Sequence, residues 1–189
     1  MRIMLASRNA HKIVELRRMA PEIEWVPMPD SLEDPPETCN TFEANALQKA
    51  SFVFGATGAW TLADDSGLEV DALAGRPGVW SKRYSPEGTD TANNTLLLAE
   101  LAERTDRTAR YRCVLALVGP GFAEVVAGAC EGRIGHSPLG TGGFGYDPLF
   151  WPTATPGRTM AQLLPEEKDA VSHRGAAMAL LPALLEKIR

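Results

Sequence analysis

Apolar residues recur along the chain in two patterns, which together predict a mixture of strands and helices. Short apolar or β-branched runs bounded by Gly, Pro or polar residues predict strands over residues 2–7, 23–28, 61–64, 68–73, 109–120 and 123–135. Apolar residues at intervals of three or four predict helices over residues 9–20, 41–58, 90–104 and 172–189. Because the two kinds of element are mixed throughout, we expect an α/β fold with a mixed sheet.

Several element ends carry local signals. Asn9 is the expected N-cap of the first helix, and Gly55 or Gly58 is expected to end the second. Ser172 is the expected cap of the last helix, which Pro182 either kinks or divides. The two long strands after residue 108 predict a hairpin.

The proline-rich and acidic segment over residues 27–40 predicts a long surface loop rather than a domain boundary. We find no repeat or linker, and we expect residues 1–189 to form one domain. Residues 138–150 predict a glycine-rich loop.

Composition excludes several classes of protein. No apolar run approaches the roughly 20 residues of a membrane helix, and the N-terminus becomes polar too early for a signal peptide, so we expect a cytoplasmic protein with no membrane partner. A net charge of −5 argues against a nucleic-acid partner. Three scattered cysteines suggest neither a disulfide framework nor a thiolate zinc site, and Cys113 and Cys130 are expected to be buried and inert.

The stretch TLADDSGLEVD, residues 61–71, is unusually acidic for a core segment, and no Lys or Arg occurs between residues 51 and 75. It contains Asp64, Asp65, Glu69 and Asp71. Gly67 would permit a sharp turn that presents carboxylates at a strand end. Such oxygens suit Mg²⁺, which takes one or two carboxylates together with water and substrate phosphates. A metal site is the favoured interpretation, and a hydrated acidic turn is the alternative.

Two further segments suit an anionic ligand. SRNAHK, residues 7–12, lies at a strand-to-helix junction, where first-turn N–H groups and Lys12 suit a phosphate. In the second helix, Asn45 and Lys49 are four residues apart and share one face. An ordinary helix cap and a solvated polar stripe are the alternative interpretations. A triphosphate approaching the aspartates would require a bridging cation.

The last two segments suit a flat, carbonyl-bearing ligand. GTGGFGYDP, residues 140–148, combines a backbone that permits close approach with the aromatic ring of Phe144. EEKDAVSHRG, residues 166–175, places Lys168, His173 and Arg174 near a helix start as hydrogen-bond donors. An ordinary glycine-rich loop and a structural histidine are the alternatives.

Taken in order, these segments resemble the inosine triphosphate pyrophosphatase family, which hydrolyses non-standard purine nucleoside triphosphates such as ITP, dITP and XTP. SRNAHK is similar to its [ST]xNxxK loop, and ADDSGLEVDALAGRPGVWSKRY, GFGYDPLF and SHRGAA are similar to its other motifs. The resemblance implies an elongated two-lobed fold with a central mixed β-sheet, flanking helices and a cleft between the lobes, usually in a homodimer. It also implies Mg²⁺-dependent release of pyrophosphate, which cleanses the nucleotide pool.

The same resemblance implies roles for individual residues. Asp65 would be the general base and a Mg²⁺ ligand, with Asp64 as a second ligand. Phe144 would stack on the purine, and Lys168, His173 and Arg174 would contact its 6-oxo group. The implied substrate-binding residues are Ser7, Arg8, Asn9, Ala10, His11, Lys12, Lys49, Ser66, Phe144, Gly145, Tyr146, Asp147, Lys168, His173 and Arg174.

One position departs from the family pattern. The family helix often has the sequence TFxENA, whose Glu the resemblance treats as a metal ligand, whereas this chain has Ala44 at that position. Either Mg²⁺ is held by Asp65 with more waters, or Asp64 or another acid completes the site. Two other functions stay open: a non-catalytic nucleotide-binding module, and a pyrophosphatase for modified pyrimidine or standard nucleoside triphosphates.

Overall fold

The computed structural model describes residues 1–188, which form the mixed α/β fold expected from the sequence. The strands are β1 (Arg2–Leu5), β2 (Glu24–Pro27), β3 (Thr61–Val70), β4 (Thr108–Gly119), β5 (Phe122–Ile134) and β6 (Phe150–Pro152). The α-helices are α1 (Ala10–Met19), α2 (Phe42–Thr57), α3 (Asp90–Glu100), α4 (Pro165–Val171), α5 (His173–Met178) and α6 (Leu181–Glu186). Short 3₁₀ helices occupy Asp71–Leu73, Gly78–Arg83 and Met160–Gln162. No helix within residues 1–188 combines the length and apolar character needed to cross a bilayer.

The strands form one mixed sheet in the order β2-β1-β3-β4-β5-β6. β1 is parallel to both β2 and β3, and β5 is antiparallel to β6. β4 and β5 are neighbours joined by residues 120–121, which confirms the predicted hairpin. The sheet is therefore mixed, as the sequence predicts.

The chain divides into two compact units, and each has its own apolar core. Unit 1 contains residues 1–65, 113–128 and the C-terminal stretch from Arg174, and unit 2 contains residues 66–112 and 129–173. The core of unit 1 includes Ile3, Leu5, Leu16, Leu62, Leu115 and Leu181. The core of unit 2 includes Leu68, Leu97, Tyr111, Ile134, Leu149 and Phe150. The unit boundaries fall within β3, β4 and β5, so each of these strands contributes residues to both units.

Most predicted helix ends are confirmed. The Asn9 side chain caps α1, and Gly58 ends α2 in the left-handed conformation at φ 67°. The predicted C-terminal helix is divided into α5 and α6, and Pro182 lies in the first turn of α6, where its missing N–H is tolerated. The helix predicted over residues 90–104 is shorter and ends at Glu100.

The acidic stretch differs from the prediction. Instead of two short strands around a turn, Thr61–Val70 forms one continuous strand, so the turn predicted at Gly67 is wrong. Residues 71–73 are helical rather than extended. A turn is unnecessary because cations from distant parts of the chain reach the buried carboxylates of Asp64 and Asp65 within the strand. Strand β6 was not predicted; its three residues are held by pairing with β5.

Candidate active site

The carboxylate of Asp64 is buried in a network of charged side chains within unit 1. Arg174 donates from Nε to Oδ2 of Asp64 at 2.8 Å and from Nη1 to Glu15, while Lys12 pairs with Oδ1 of Asp64. The side chains of Arg174 and Asp64 are 1% and 0% exposed. Burial favours the neutral carboxyl, but Arg174 and Lys12 outweigh it and hold the pKa of Asp64 well below its usual range. Asp64 is therefore a charged anchor for two cations.

Asp65, the next residue of β3, contacts a different cation because adjacent strand residues point to opposite faces. Lys49 Nζ donates to Asp65 Oδ1 at 2.8 Å, to the Asp64 carbonyl oxygen at 2.8 Å and to Glu37 Oε1 at 2.6 Å. The Lys49 side chain is 7% exposed and extends from α2, whereas Glu37 lies in the loop that precedes this helix. Two carboxylates therefore converge on one buried ammonium group.

Burial and charge act in opposite directions on this pair. Burial alone lowers the pKa of Lys49, but the Asp65 and Glu37 carboxylates outweigh it, so the pKa of Lys49 is raised. For Asp65, burial is the largest influence and exceeds the opposing effects of Lys49 and Lys12, so its pKa is raised above the ordinary value. A carboxylate with a raised pKa is a better proton acceptor near neutral pH, as a general base requires.

Asp65 also carries the atom most suited to a metal ion. Its Oδ2 is buried and has no hydrogen-bond partner among residues 1–188. The described part of the chain contains no group of three or more His, Cys, Asp or Glu residues able to hold a metal. The Oδ2 atom of Asp65 nevertheless fits Mg²⁺, which needs only one or two carboxylates together with water and substrate phosphates. Both oxygens of Asp64 already accept bonds from cations, so its role as a ligand stays a prediction while its contacts favour anchoring.

The predicted phosphate loop is organised by its own side chains. Asn9 Oδ1 accepts from the backbone N–H groups of His11 at 3.1 Å and Lys12 at 3.3 Å, and Ser7 Oγ accepts from the Asn9 N–H at 3.2 Å. Ala10 and His11 lie exposed at the start of α1. These hydrogen bonds fix the backbone of the loop, and Lys12 at its end forms an ion pair with Asp64.

Arg8 contacts the acidic loop rather than the aspartates of β3. Its Nε donates to Asp34 at 2.7 Å, and its Nη2 donates to the carbonyl oxygens of Pro29 at 3.2 Å and Leu32. These contacts favour a loop-anchoring role, and the phosphate contact implied for Arg8 stays a prediction.

In unit 2, Asp147 organises the residues that the resemblance assigns to the purine. Its Oδ2 accepts from Lys168 Nζ at 2.6 Å and from the Phe144 N–H at 2.9 Å, and its Oδ1 accepts from the Tyr111 hydroxyl at 3.2 Å. Lys168 Nζ lies 4.7 Å from the centroid of the Phe144 ring. The His173 ring stacks on Tyr111 at a centroid distance of 4.6 Å.

The remaining predicted site residues of unit 2 differ in how well they could contact a substrate. Tyr146 is buried, and its hydroxyl donates to the Ser81 carbonyl oxygen at 2.8 Å, which favours a structural role. Gly145 is held through its backbone by α3, and Ser66 is a half-buried residue of β3. Phe144 is half-buried, so its ring is the one in this loop that suits stacking.

Known proteins are similar to this chain over nearly its full length. The model of the Ham1 family matches residues 3–184. The chain belongs to the Ham1 family. It is 49% identical to the dITP/XTP pyrophosphatase of Mycolicibacterium paratuberculosis, with 98% of this chain and 96% of the relative covered. It is 51% identical to the dITP/XTP pyrophosphatase of Nocardia farcinica, with 97% and 94% covered.

Solved structures of Ham1 proteins have the same fold. The Staphylococcus aureus Ham1 protein matches with a TM-score of 0.90 and 39% identity over 100% of both chains. A HAM1 protein from Coxiella burnetii matches with a TM-score of 0.90 and 39% identity over 99% of both chains. The family resemblance inferred from the four motifs is thus confirmed.

Within this Ham1 chain, the predicted site residues form two sets, each inside one unit. Unit 1 holds Ser7, Arg8, Asn9, Ala10, His11, Lys12, Lys49, Asp64, Asp65 and Arg174. Unit 2 holds Ser66, Phe144, Gly145, Tyr146, Asp147, Lys168 and His173. Sequence reasoning missed Glu37, because it lies among prolines and other acids in a loop without periodicity. One signal in the sequence could have indicated Glu37. The chain has few lysines, so an acidic residue close to Lys49 in the sequence is a candidate ion-pair partner.

Proposed function

We propose that this chain hydrolyses the non-standard purine nucleoside triphosphates ITP, dITP and XTP to the monophosphate and pyrophosphate. The observation that carries the proposal is the meeting of Lys12 and Lys49 with the adjacent residues Asp64 and Asp65. It occurs in a chain about half identical, over nearly its full length, to enzymes named dITP/XTP pyrophosphatase. A buried lysine and a half-buried lysine beside two buried carboxylates suit a polyphosphate and a hydrolytic water.

In this proposal Asp65 is the general base. It accepts a proton from the water that attacks near the α–β phosphate bridge, and its raised pKa supports this role. Lys49 holds the Asp65 carboxylate in place through Oδ1, and Oδ2 has no hydrogen-bond partner among residues 1–188. The loop over residues 7–12 binds the phosphates, with Lys12 supplying positive charge. Asp65 would hold Mg²⁺ together with water and substrate phosphates, and the bound ion would neutralise phosphate charge near the aspartates.

The proposed purine contacts explain discrimination against adenine. Phe144 stacks on the base, and Lys168 and His173 present donors to the 6-oxo group. Adenine has an amino donor at this position, and two facing donors cost about 1–3 kcal/mol, which corresponds to roughly 5–150-fold discrimination. The pairing of Lys168 with Asp147 supports this assignment because it holds the Lys168 ammonium beside the Phe144 ring. Arg174 is buried and binds Asp64 and Glu15, so its contacts favour a structural role and the purine contact implied for it stays a prediction.

The remaining expectations are also proposals. We propose a cytoplasmic homodimer that acts on free nucleotides and has no nucleic-acid partner. The net charge of −5 supports the last point, since a polyanion would be repelled overall.

Pyrophosphate release from ITP, dITP, XTP, GTP and ATP tests the proposal, measured first with Mg²⁺ and then with EDTA. We expect rapid release from the first three, slower release from GTP and ATP, and loss of all release in EDTA. Binding of ITP without release would instead favour a non-catalytic module, and fastest release from ATP or a pyrimidine triphosphate would overturn the substrate class.

The variant Asp65→Asn tests the base. We expect turnover of ITP to fall by about 10²–10⁴-fold, the usual contribution of a general base. Asp30→Asn, the same chemical change at an exposed carboxylate, is the control and should retain wild-type turnover. Retention of turnover in Asp65→Asn would remove Asp65 from the mechanism.

A further inference from the structure

Two side chains of α3 bind both backbone polar groups of Gly145. Asp90 Oδ2 accepts from the Gly145 N–H at 2.7 Å, and Asn94 Nδ2 donates to the Gly145 carbonyl oxygen at 3.0 Å. Asp90 and Asn94 are four residues apart on α3 and therefore share one helix face. The sequence separations of 55 and 51 residues show that these are tertiary contacts.

These contacts fix the backbone on the C-terminal side of Phe144. The N–H that Asp90 binds belongs to the peptide between Phe144 and Gly145, and the Phe144 N–H itself is bound by Asp147 at 2.9 Å. Because a residue has only two soft backbone dihedrals, fixing the peptide plane on each side fixes the direction of its Cα–Cβ bond. The rotamers open to the Phe144 ring thus depend on Asp90 as well as on its own loop.

The loop needs such external contacts because it is rich in glycine. Gly140, Gly143 and Gly145 all have positive φ values, of 88°, 71° and 63°. Glycine loses the most conformational freedom on folding, so this loop would be mobile without anchors. Asn94 also keeps its Oδ1 buried and without a partner in residues 1–188, which is destabilising.

We propose that Asp90 and Asn94 are positioning residues that orient Phe144 for stacking on the substrate base. The inference rests on the proposed function, in which Phe144 is the stacking residue. Neither side chain needs to touch the substrate. A ring held in its bound orientation before the ligand arrives loses less freedom on binding, which strengthens affinity.

The first test is steady-state kinetics with ITP on Asp90→Ala and Asn94→Ala. We expect each variant to raise KM about three- to tenfold, the effect of losing one hydrogen bond, while kcat stays within about twofold. Asp90→Asn retains an acceptor oxygen and should restore a KM near that of the wild type. Asn94→Asp places a carboxylate against a carbonyl oxygen and should raise KM more than Asn94→Ala.

Lys82→Ala is the matched control. Lys82 Nζ lies 3.9 Å from the other oxygen of Asp90, and its side chain is 75% exposed, so this variant removes only a surface ion pair. We expect its KM to match that of the wild type. An equal rise in KM for Lys82→Ala and Asp90→Ala would overturn the role of the Gly145 contact.

Amide hydrogen exchange over residues 140–147 of the ligand-free protein gives a second readout that needs no turnover. We expect about three- to tenfold faster exchange in Asp90→Ala and Asn94→Ala, and wild-type rates in Asp90→Asn and Lys82→Ala. Unchanged exchange together with unchanged KM in both alanine variants would overturn the inference. If the wild type released no pyrophosphate from ITP, the proposed function would fail, and exchange alone would decide whether Asp90 and Asn94 hold the loop.

Discussion

Replacing Asp64 with Asn removes one charge from the most deeply buried ion network of unit 1 without changing the shape of the side chain. In the wild-type protein, Arg174 and Lys12 face the carboxylates of Asp64 and Glu15. The substitution leaves two cations facing one carboxylate. It also turns an amide N–H₂ group toward a donor of Arg174 or Lys12, because an amide offers only one acceptor atom.

The expected loss of stability follows from burial. The side chains of Arg174 and Lys12 are 1% and 14% exposed, so neither cation can recover full hydration in the variant. Removing one partner of a buried ion pair typically destabilises a protein by about 3–5 kcal/mol, because the remaining charge stays buried and uncompensated. With a urea m-value of about 3 kcal/mol per molar, the unfolding midpoint should fall by roughly 1–1.7 M.

Equilibrium urea unfolding, followed by tryptophan fluorescence and far-UV circular dichroism, measures this shift. Asp30→Asn is the matched control, because Asp30 is fully exposed and its contact with Arg8 is 3.5 Å long. We expect the control to change the free energy of unfolding by less than about 0.5 kcal/mol. The reasoning would be refuted if Asp64→Asn unfolded at the same urea concentration as the control.

Two further predictions concern buried thiols and the glycine-rich loop. At pH 8 an alkylating reagent should modify the half-buried Cys39 and neither of the other two cysteines. Burial shields the thiols of Cys113 and Cys130 and raises their pKa values, that of Cys130 to about 11. Mass spectrometry of the alkylated native and unfolded protein checks this. Gly143→Ala should lower the free energy of unfolding by about 1–3 kcal/mol, because its Cβ would lie 2.0 Å from Asp147 Oδ2 at a φ of 71°. Gly121→Ala, at a φ of 67° with open space around it, is the control and should be affected less in the same urea titration.

Where a local signal determines structure, the sequence predicted the fold well. The N-cap at Asn9 and the left-handed end at Gly58 depend on residues within one turn of the helix end, so both are visible in the sequence. The hairpin of β4 and β5 is visible for the same reason, since Pro120 and Gly121 interrupt two β-rich runs.

The acidic stretch was mispredicted because its partners are far away in the sequence. Lys12 and Arg174 are 52 and 110 residues from Asp64, and Lys49 is 16 residues from Asp65. Only carboxylates without cations are visible locally, so the local sequence predicts a turn that presents them to a metal ion. Strand β6 was not predicted for a related reason, because its three residues are extended through pairing with β5 rather than through their own strand propensity.

The two adjacent aspartates of β3 point to opposite faces of the strand and have different roles: Asp64 stabilises the fold, and Asp65 is the proposed general base. Asp64 has both oxygens bound by cations and a depressed pKa, so its charge stabilises the folded protein. Asp65 has a buried oxygen without a partner and a raised pKa, so its charge is unfavourable for folding and available for reaction. Asp65→Asn should therefore lower the free energy of unfolding by less than Asp64→Asn does, because Lys49 keeps the Glu37 carboxylate as a partner, although its turnover falls. Equal losses of stability in Asp64→Asn and Asp65→Asn would show that no such difference in role exists.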